Sequence, residues 1–299
     1  MKKFEELKQR NKCLSNEIGN AEKIKDNDKI ISLKKELYKN KLDMLDLLSI
    51  KNKKNNISAK ELLLKVKQMP KAIRYATGLK YLDCKLKFNT LNEKESGGFE
   101  VGSLIILGGQ SGAGKSHILL EMLSNISSYA KCVFFNLEMG DRRISNRLSK
   151  LLKTEKQLNN FIINSESRDL DDLLMEINIL AEEGLKFFAI DSRMKITVKG
   201  TDAEYQKIAS ITKRLSEVAI NNDIIIILIN QISEDNLKTK TLAFKGSGDQ
   251  LYDADMAFFL TIEDDDSRKL VCKKNRQDEH LFTIDVPKPI NVEETVYRC

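Results

Sequence analysis

Residues 2–69 contain no proline and a single glycine, Gly19. Such a stretch has few built-in breaks, so it reads as helix almost throughout. Histidine occurs only twice in 299 residues. The five cysteines (Cys13, Cys84, Cys132, Cys272 and Cys299) are scattered and form no CxxC pair. A zinc site or a disulfide framework is therefore not expected; Cys132 and Cys272 read as buried strand residues of a reduced interior. Long apolar runs are missing too. The longest is Ile224–Ile229, far short of the ~20 residues that cross a bilayer. The opening MKKFEELKQRNK has no apolar segment of the kind a secretory signal carries, so a cytoplasmic protein without a membrane partner is expected. What remains is 41% hydrophobic and 31% charged, a globular composition.

The formal charge of +6 is unevenly spread. Residues 1–80 hold 21 Lys and Arg against 10 Asp and Glu, so the rest of the chain is net acidic. A basic arm on an acidic body suits an anionic partner, nucleic acid first among them; a lysine-rich solvated helix surface explains the charge equally well. Ile30, Leu37 and Met44 recur every seven residues, and Leu33 and Leu47 join the same stripe. Three helices are expected, at 3–18, 22–50 and 58–68, broken near Gly19 and at Asn55–Asn56 and closed by Pro70. This arm, residues 1–69, is read as an oligomerisation or partner-binding unit, because helices with one apolar face must pack against something. Residues 70–299 are read as a second domain.

From about residue 100 the pattern changes. SLIILG (103–108), CVFFNL (132–137), FFAID (187–191) and IIIILIN (224–230) are apolar on both faces, as strands of a buried parallel sheet are. Helices fit 115–129, 140–152, 169–183 and 202–221. Alternating strand and helix predicts an α/β doubly wound sheet. MAFFLTI, RKLVCKK and LFTIDV then follow without helices, which predicts hairpins at one edge.

ILGGQSGAGKSH (106–117) contains GxxxxGK[ST], with an apolar strand before it and a helix after. Gly109, Gln110, Ser111, Gly112, Ala113, Gly114, Lys115 and Ser116 would wrap a nucleotide's phosphates with backbone N–H groups. The helix N-terminus adds partial positive charge. Lys115 would reach the β- and γ-phosphates and the Ser116 hydroxyl would ligate Mg²⁺. His117 is read as a first-turn helix residue. Asp191 ends FFAID, where a magnesium-side carboxylate belongs; an ordinary strand-end acid is the alternative. Glu138 ends CVFFNLE, in the crevice where such sheets bind ligands, and could activate water. Gln231 follows IIIILIN and could sense the γ-phosphate. Arg193, Lys195 and Lys199 could add a basic contact for an anionic strand.

Taken in order, these stretches resemble the ATPase domain of DnaB-type replicative helicases, within the RecA-like P-loop NTPases. The resemblance runs from about Thr77 to Val286. It rests on TGLKYLD (77–83), the phosphate loop, VFFNLEMGDRRISNRL (133–148), FAID (188–191), ITKRLSEVA (211–219), IIIILINQIS (224–233), KGSGDQLYDADMAFFL (245–260) and KKNR (273–276). It implies a mostly parallel sheet with helices on both faces and an antiparallel C-terminal edge. It implies ATP with Mg²⁺, Glu138 as catalytic base, and Gln231 coupling the γ-phosphate to DNA loops. Lys274 and Arg276 would act in trans on a neighbouring subunit's nucleotide within a homo-hexamer or other ring. Lys245, Gly246 and Gly248 would contact single-stranded DNA. Without the resemblance, KKNR is a solvated basic turn and KGSG a flexible one. The sequence departs from the family's pattern at SRMK (192–195), at Lys245–Gly246, in an insertion at 87–96, and in its short basic arm. The implied function is an ATP-driven DNA helicase in replication. A DNA-binding ATPase without unwinding, such as a recombination mediator, and a nucleotide-gated helicase loader are the other readings.

Overall fold

The computed structural model describes residues 2–24, 26–49, 58–68, 73–86, 97–200, 203–232, 242–244, 250–277 and 280–287. The chain divides into two compact units, 1–71 with 175–180, and 72–174 with 181–299.

In the first unit, α1 (Lys2–Lys23) and α2 (Asn27–Ser49) form a packed pair. Leu14, Ile18 and Ala21 meet Leu33, with Ile30 and Leu37 alongside, so the apolar stripe read from spacing is the packing face. Met44 and Leu47 lie outside the side chains described. Arg10 joins the helices at the surface, 2.9 Å from Glu36 and 3.3 Å from Glu17. The expected break at Gly19 is wrong. The helix runs through it, and the turn falls at 24–26, where the Asp26 carboxylate accepts the Lys29 N–H at 3.1 Å. A helical glycine costs only about 1 kcal/mol. Continuing the helix buries Ala21, and Asp26 is the better cap. The third helix, α3 (Ala59–Gln68), opens on a capping box in which Ser58 and Glu61 satisfy each other's N–H groups. Pro70 lies outside the described residues.

The second unit is built on an eight-stranded sheet. A two-stranded ribbon, β1 (Arg74–Tyr75) with β2 (Phe99–Glu100), and a short helix, α4 (Lys80–Asp83), precede it. The main strands are β3 (Ser103–Gly109), β4 (Cys132–Asn136), β5 (Phe161–Asn164), β6 (Phe187–Asp191), β7 (Ile225–Ile229), β8 (Met256–Ile262), β9 (Arg268–Asn275) and β10 (Thr283–Val286). Their spatial order is β10-β9-β8-β3-β7-β6-β4-β5. The pairs between β8 and β5 are parallel, while β8–β9 and β9–β10 are antiparallel. One expectation changes: MAFFLTI is not a hairpin arm hung on the edge. It is a parallel neighbour of β3, and only β9 and β10 form the antiparallel edge. Ala257, Phe258 and Phe259 are almost fully buried, as a strand inside the sheet requires.

Helices α5 (Lys115–Ser127), α6 (Asp141–Leu151), α8 (Leu170–Glu182) and α9 (Glu204–Asn222) stand where the periodicity placed them. Ile105 and Leu107 share one apolar cluster with Ile118, Leu119, Met122 and Leu123 of α5, while α9 packs against β3 and β7. Leu104 and Ile106, the alternate residues of β3, are buried as well, so the sheet is covered on both faces. Two elements have no counterpart in the sequence reading, α7 (Glu155–Asn160) and β5. The helix is only six residues long, held by a capping box between Thr154 and Gln157, and β5 is a half-exposed edge strand. A short 3₁₀ turn (Arg193–Lys195) follows β6, and α10 (Gln250–Asp253) precedes β8. The insertion at 87–96 lies outside the described residues. No helix among the described residues is long and apolar enough to cross a membrane. Cys132 and Cys272 are buried free thiols.

Candidate nucleotide site

The phosphate loop joins β3 to α5. Gly112 (φ +80°) and Gly114 (φ +99°) take left-handed backbone conformations that β-carbons disfavour. Gly109 is required for another reason: a β-carbon there would stand 2.7 Å from the Leu260 carbonyl oxygen of β8. Lys115 donates to the carbonyls of Gly109 and Gln110, both at 2.8 Å, and so closes the loop on itself. Its ammonium pKa is lowered by burial, with Asp191 and Glu138 pulling it back up.

Ser111, Gly112, Gly114, Lys115, Ser116, His117, Glu138, Arg147, Asp191, Ser192, Ile229 and Gln231 line a cleft of about 360 Å³. Of the groups anticipated for nucleotide chemistry, Lys115, Ser116, Glu138, Asp191 and Gln231 therefore converge. They come from α5, from the ends of β4 and β6, and from the residue pair after β7. The parallel order of β3, β7, β6 and β4 puts those ends on one edge of the sheet. That edge is the crevice where open α/β sheets bind ligands.

Asp191 is 1% exposed, and neither of its carboxylate oxygens has a hydrogen-bond partner. Burial pushes its pKa up; the nearby Ser116 hydroxyl and then Lys115 oppose that. A buried carboxylate without partners costs free energy unless a cation meets it. Two oxygens and the Ser116 hydroxyl form a hard donor set of the kind Mg²⁺ prefers. Asp191 and Ser116 thus fit the expected metal. Glu138 is exposed in the cleft, and Ser192 donates to its Oε2 at 3.1 Å.

Two supporting residues went unread in the sequence. The Asn136 amide donates to the Met139 carbonyl at 2.7 Å and its oxygen accepts the Met139 N–H at 3.1 Å, bracing the turn that presents Glu138. Asn230 does the same for Gln231, whose N–H meets its oxygen at 2.8 Å; the Asn230 amide bonds the Gln250 side chain. Asparagine at a strand end is the only sequence signal for either. Arg147 also faces the cleft, from α6.

Arg193 is not the surface contact for an anionic strand that its sequence position suggested. It is 2% exposed; its Nε donates to Asn230 at 2.9 Å and its Nη1 lies 3.6 Å from Glu204. A guanidinium fixed between two partners inside the fold holds β7's end in place. Lys195 is exposed, and Lys199 is exposed and 3.3 Å from Asp169.

Lys274 and Arg276 are not brought to the cleft. Lys274 pairs with Ala257 and Asn275 with Met256, and Met256 is level with Ile105 near the start of β3. Arg276 donates to the Tyr252 carbonyl at 2.7 Å and lies 3.5 Å from Asp255, while Lys274 donates to the carbonyls of Leu251 and Tyr252. Six strand residues separate Lys274 from the loop edge of β9, roughly 20 Å. Lys245, Gly246 and Gly248 lie outside the described residues.

A glycine-turned phosphate loop, a buried strand-end carboxylate and this sheet order define a RecA-like P-loop nucleotide-binding domain. Residues 84–159 match the family model of the DnaB-like helicase C terminal domain, so the resemblance to the DnaB-type ATPase domain is borne out. The fold agrees with two solved structures. One, an isolated ATPase domain, superposes with a TM-score of 0.62 at 16% identity, covering 77% of this chain and 95% of that one. The other, a DnaB-like replicative helicase described with its primase interactions, gives 0.60 at 16%, covering 93% and 74%. Among curated proteins, the DNA repair protein RadA of Streptococcus pneumoniae is 20% identical over 194 residues, 65% of this chain and 44% of its own length. RadA of Rickettsia felis is 30% identical over 149 residues, 48% of this chain and 32% of its own. The matched region is thus less than half of these curated relatives.

Proposed function

We propose that this chain is an ATP-driven motor on single-stranded DNA that works as a homo-hexamer or other ring, a compact DnaB-like helicase. The observation that carries this reading is the separation along β9. Lys115, Ser116, Glu138, Asp191 and Gln231 share one cleft, while Lys274 and Arg276 sit at the opposite edge of the same sheet. Those two cations cannot serve their own subunit's phosphates across roughly 20 Å of strand. A subunit stacked on that edge would receive them.

In this reading the loop's N–H groups and Lys115 bind the β- and γ-phosphates. Asp191 and Ser116 hold Mg²⁺, which supplies positive charge to the phosphate oxygens. Glu138, hydrogen-bonded by Ser192, takes the proton of the attacking water. Arg276 and Lys274 of a neighbour stabilise charge on the transferring phosphoryl group. Gln231, fixed through Asn230, relays the state of the γ-phosphate toward α10 and the Lys245, Gly246 and Gly248 segment, which contacts DNA phosphates without reading sequence. The basic arm supplies an oligomerisation or partner surface as a unit of its own.

The similarity to proteins named for DNA repair favours a second reading, a DNA-dependent ATPase that does not unwind. Steady-state ATP hydrolysis with and without single-stranded DNA, on wild type and Glu138→Gln, tests the motor. DNA-stimulated turnover that Glu138→Gln abolishes is expected. Hydrolysis indifferent to DNA would sink it. Strand displacement on a forked duplex then separates the two readings.

A further inference from the structure

One buried cation beside the cleft has no task in that scheme. Arg268 opens β9 and is 8% exposed. Its Nη2 donates to the Pro287 carbonyl, but its Nε is buried without a hydrogen-bond partner. Its Nη1 stands 2.7 Å from the point a β-carbon on Gly114 would occupy. The guanidinium therefore lies directly against the last glycine of the phosphate loop. Gly114 has two reasons to be glycine, its φ of +99° and this side chain.

The sheet order says which end of a nucleotide would meet it. Asp191, Glu138 and Gln231 reach the cleft from β6, β4 and β7, all on one side of β3. The terminal phosphate must face them. The other end of the molecule then points across the loop toward β8 and β9, and Arg268 is paired with Ile262 at the loop edge of those strands. His117, which lines the cleft, is within electrostatic reach of Arg268, and so is Tyr81 on α4. Burial pushes the Tyr81 hydroxyl up to about 12, and Arg268 pulls against that shift. The neighbourhood is thus a partly dry one, where a planar cation holds an aromatic ring well.

We infer that Arg268 is a nucleoside-binding residue of the same subunit, its guanidinium taking the face of the base of a nucleotide whose phosphates fill the loop. This rests on the reading of the cleft as an ATP site. A guanidinium can stack on a ring while its edge stays hydrogen-bonded, which a lysine ammonium cannot do.

The test is equilibrium binding of ATP and of inorganic tripolyphosphate, each with magnesium, to the full chain as wild type, Arg268→Ala and Arg268→Lys. Arg268→Ala is expected to weaken ATP about tenfold and tripolyphosphate by less than about twofold. Arg268→Lys keeps the charge and most of the packing, so it carries the test if the alanine variant does not fold; it too is expected to lose ATP selectively. Equal losses for both ligands would make Arg268 a brace of the loop and overturn the inference. Unchanged ATP binding would overturn it as well. A wild type that binds neither ligand would overturn the ATP site itself.

Discussion

The two flanks of β3 carry opposite chemistry. On one flank, β7, β6 and β4 end at the loop edge in Gln231, Asp191 and Glu138. On the other, β8 and β9 bring cations: Arg268 at the loop edge, and Lys274 with Arg276 at the far edge. The carboxylate flank is built for work within one subunit, since its groups converge on one cleft. The cationic flank is split by the length of a strand. Antiparallel β9 is what allows this, because it starts beside the loop and ends away from it. A parallel strand would have put its C-terminal residues at the cleft.

The largest expected effect lies at the far end of β9. Arg276→Ala should lower turnover by about 10³-fold or more, as loss of a trans arginine does. Mixing it with Lys115→Ala subunits should restore activity, because one variant lends its loop and the other its cation. No recovery on mixing would mean that the two flanks do not meet between subunits. Next, Glu138→Gln should cost about 10²–10⁴-fold in turnover with nucleotide binding kept, the range of a lost general base. A variant that loses binding instead would place Glu138 among the structural groups.

Arg193→Met asks whether the buried bond behind the carboxylate flank matters. It removes the donor to Asn230 and should cost about 1–3 kcal/mol in denaturant unfolding. Lys199→Met removes an exposed pair with Asp169 and should cost less than about 1 kcal/mol. Equal costs would contradict the burial argument.

The smallest effect is a pH dependence. Burial holds the Asp191 pKa above the ordinary carboxylate range. The folded chain then keeps a proton that the unfolded chain has lost, so nucleotide-free stability declines as pH rises from that ordinary range through the raised value. Magnesium needs the ionised form. The magnesium-dependent part of ATP affinity should therefore fall by about tenfold per pH unit below the raised pKa. ATP affinity measured with and without magnesium across that window checks this, and Asp191→Asn should remove the magnesium-dependent part at every pH.

Much of this was legible in the residues. GxxxxGK[ST] after an apolar strand located the loop, because phosphate binding demands glycines and a lysine at fixed spacing. Runs apolar on both faces located β3, β4, β6 and β7, because a covered parallel sheet leaves no polar face. The place of Glu138, Asp191 and Gln231 at the cleft could be read for a related reason: each lies at the polar end of such a run. Gly19 misled, because one glycine is a weaker signal than the packing that continues past it. Arg193 misled, because a basic residue near a strand end looks the same whether it faces solvent or Asn230. MAFFLTI misled, because a parallel and an antiparallel neighbour have the same composition. The sequence alone determined the phosphate loop, the strands around it and the groups at their ends, all of which depend on local spacing. Only the tertiary structure decided that β8 lies beside β3, that Arg268 rests on Gly114, and that Arg276 lies a strand's length from its own cleft. Those facts depend on which strands pair and in which direction, and pairing is a long-range choice that no local pattern encodes.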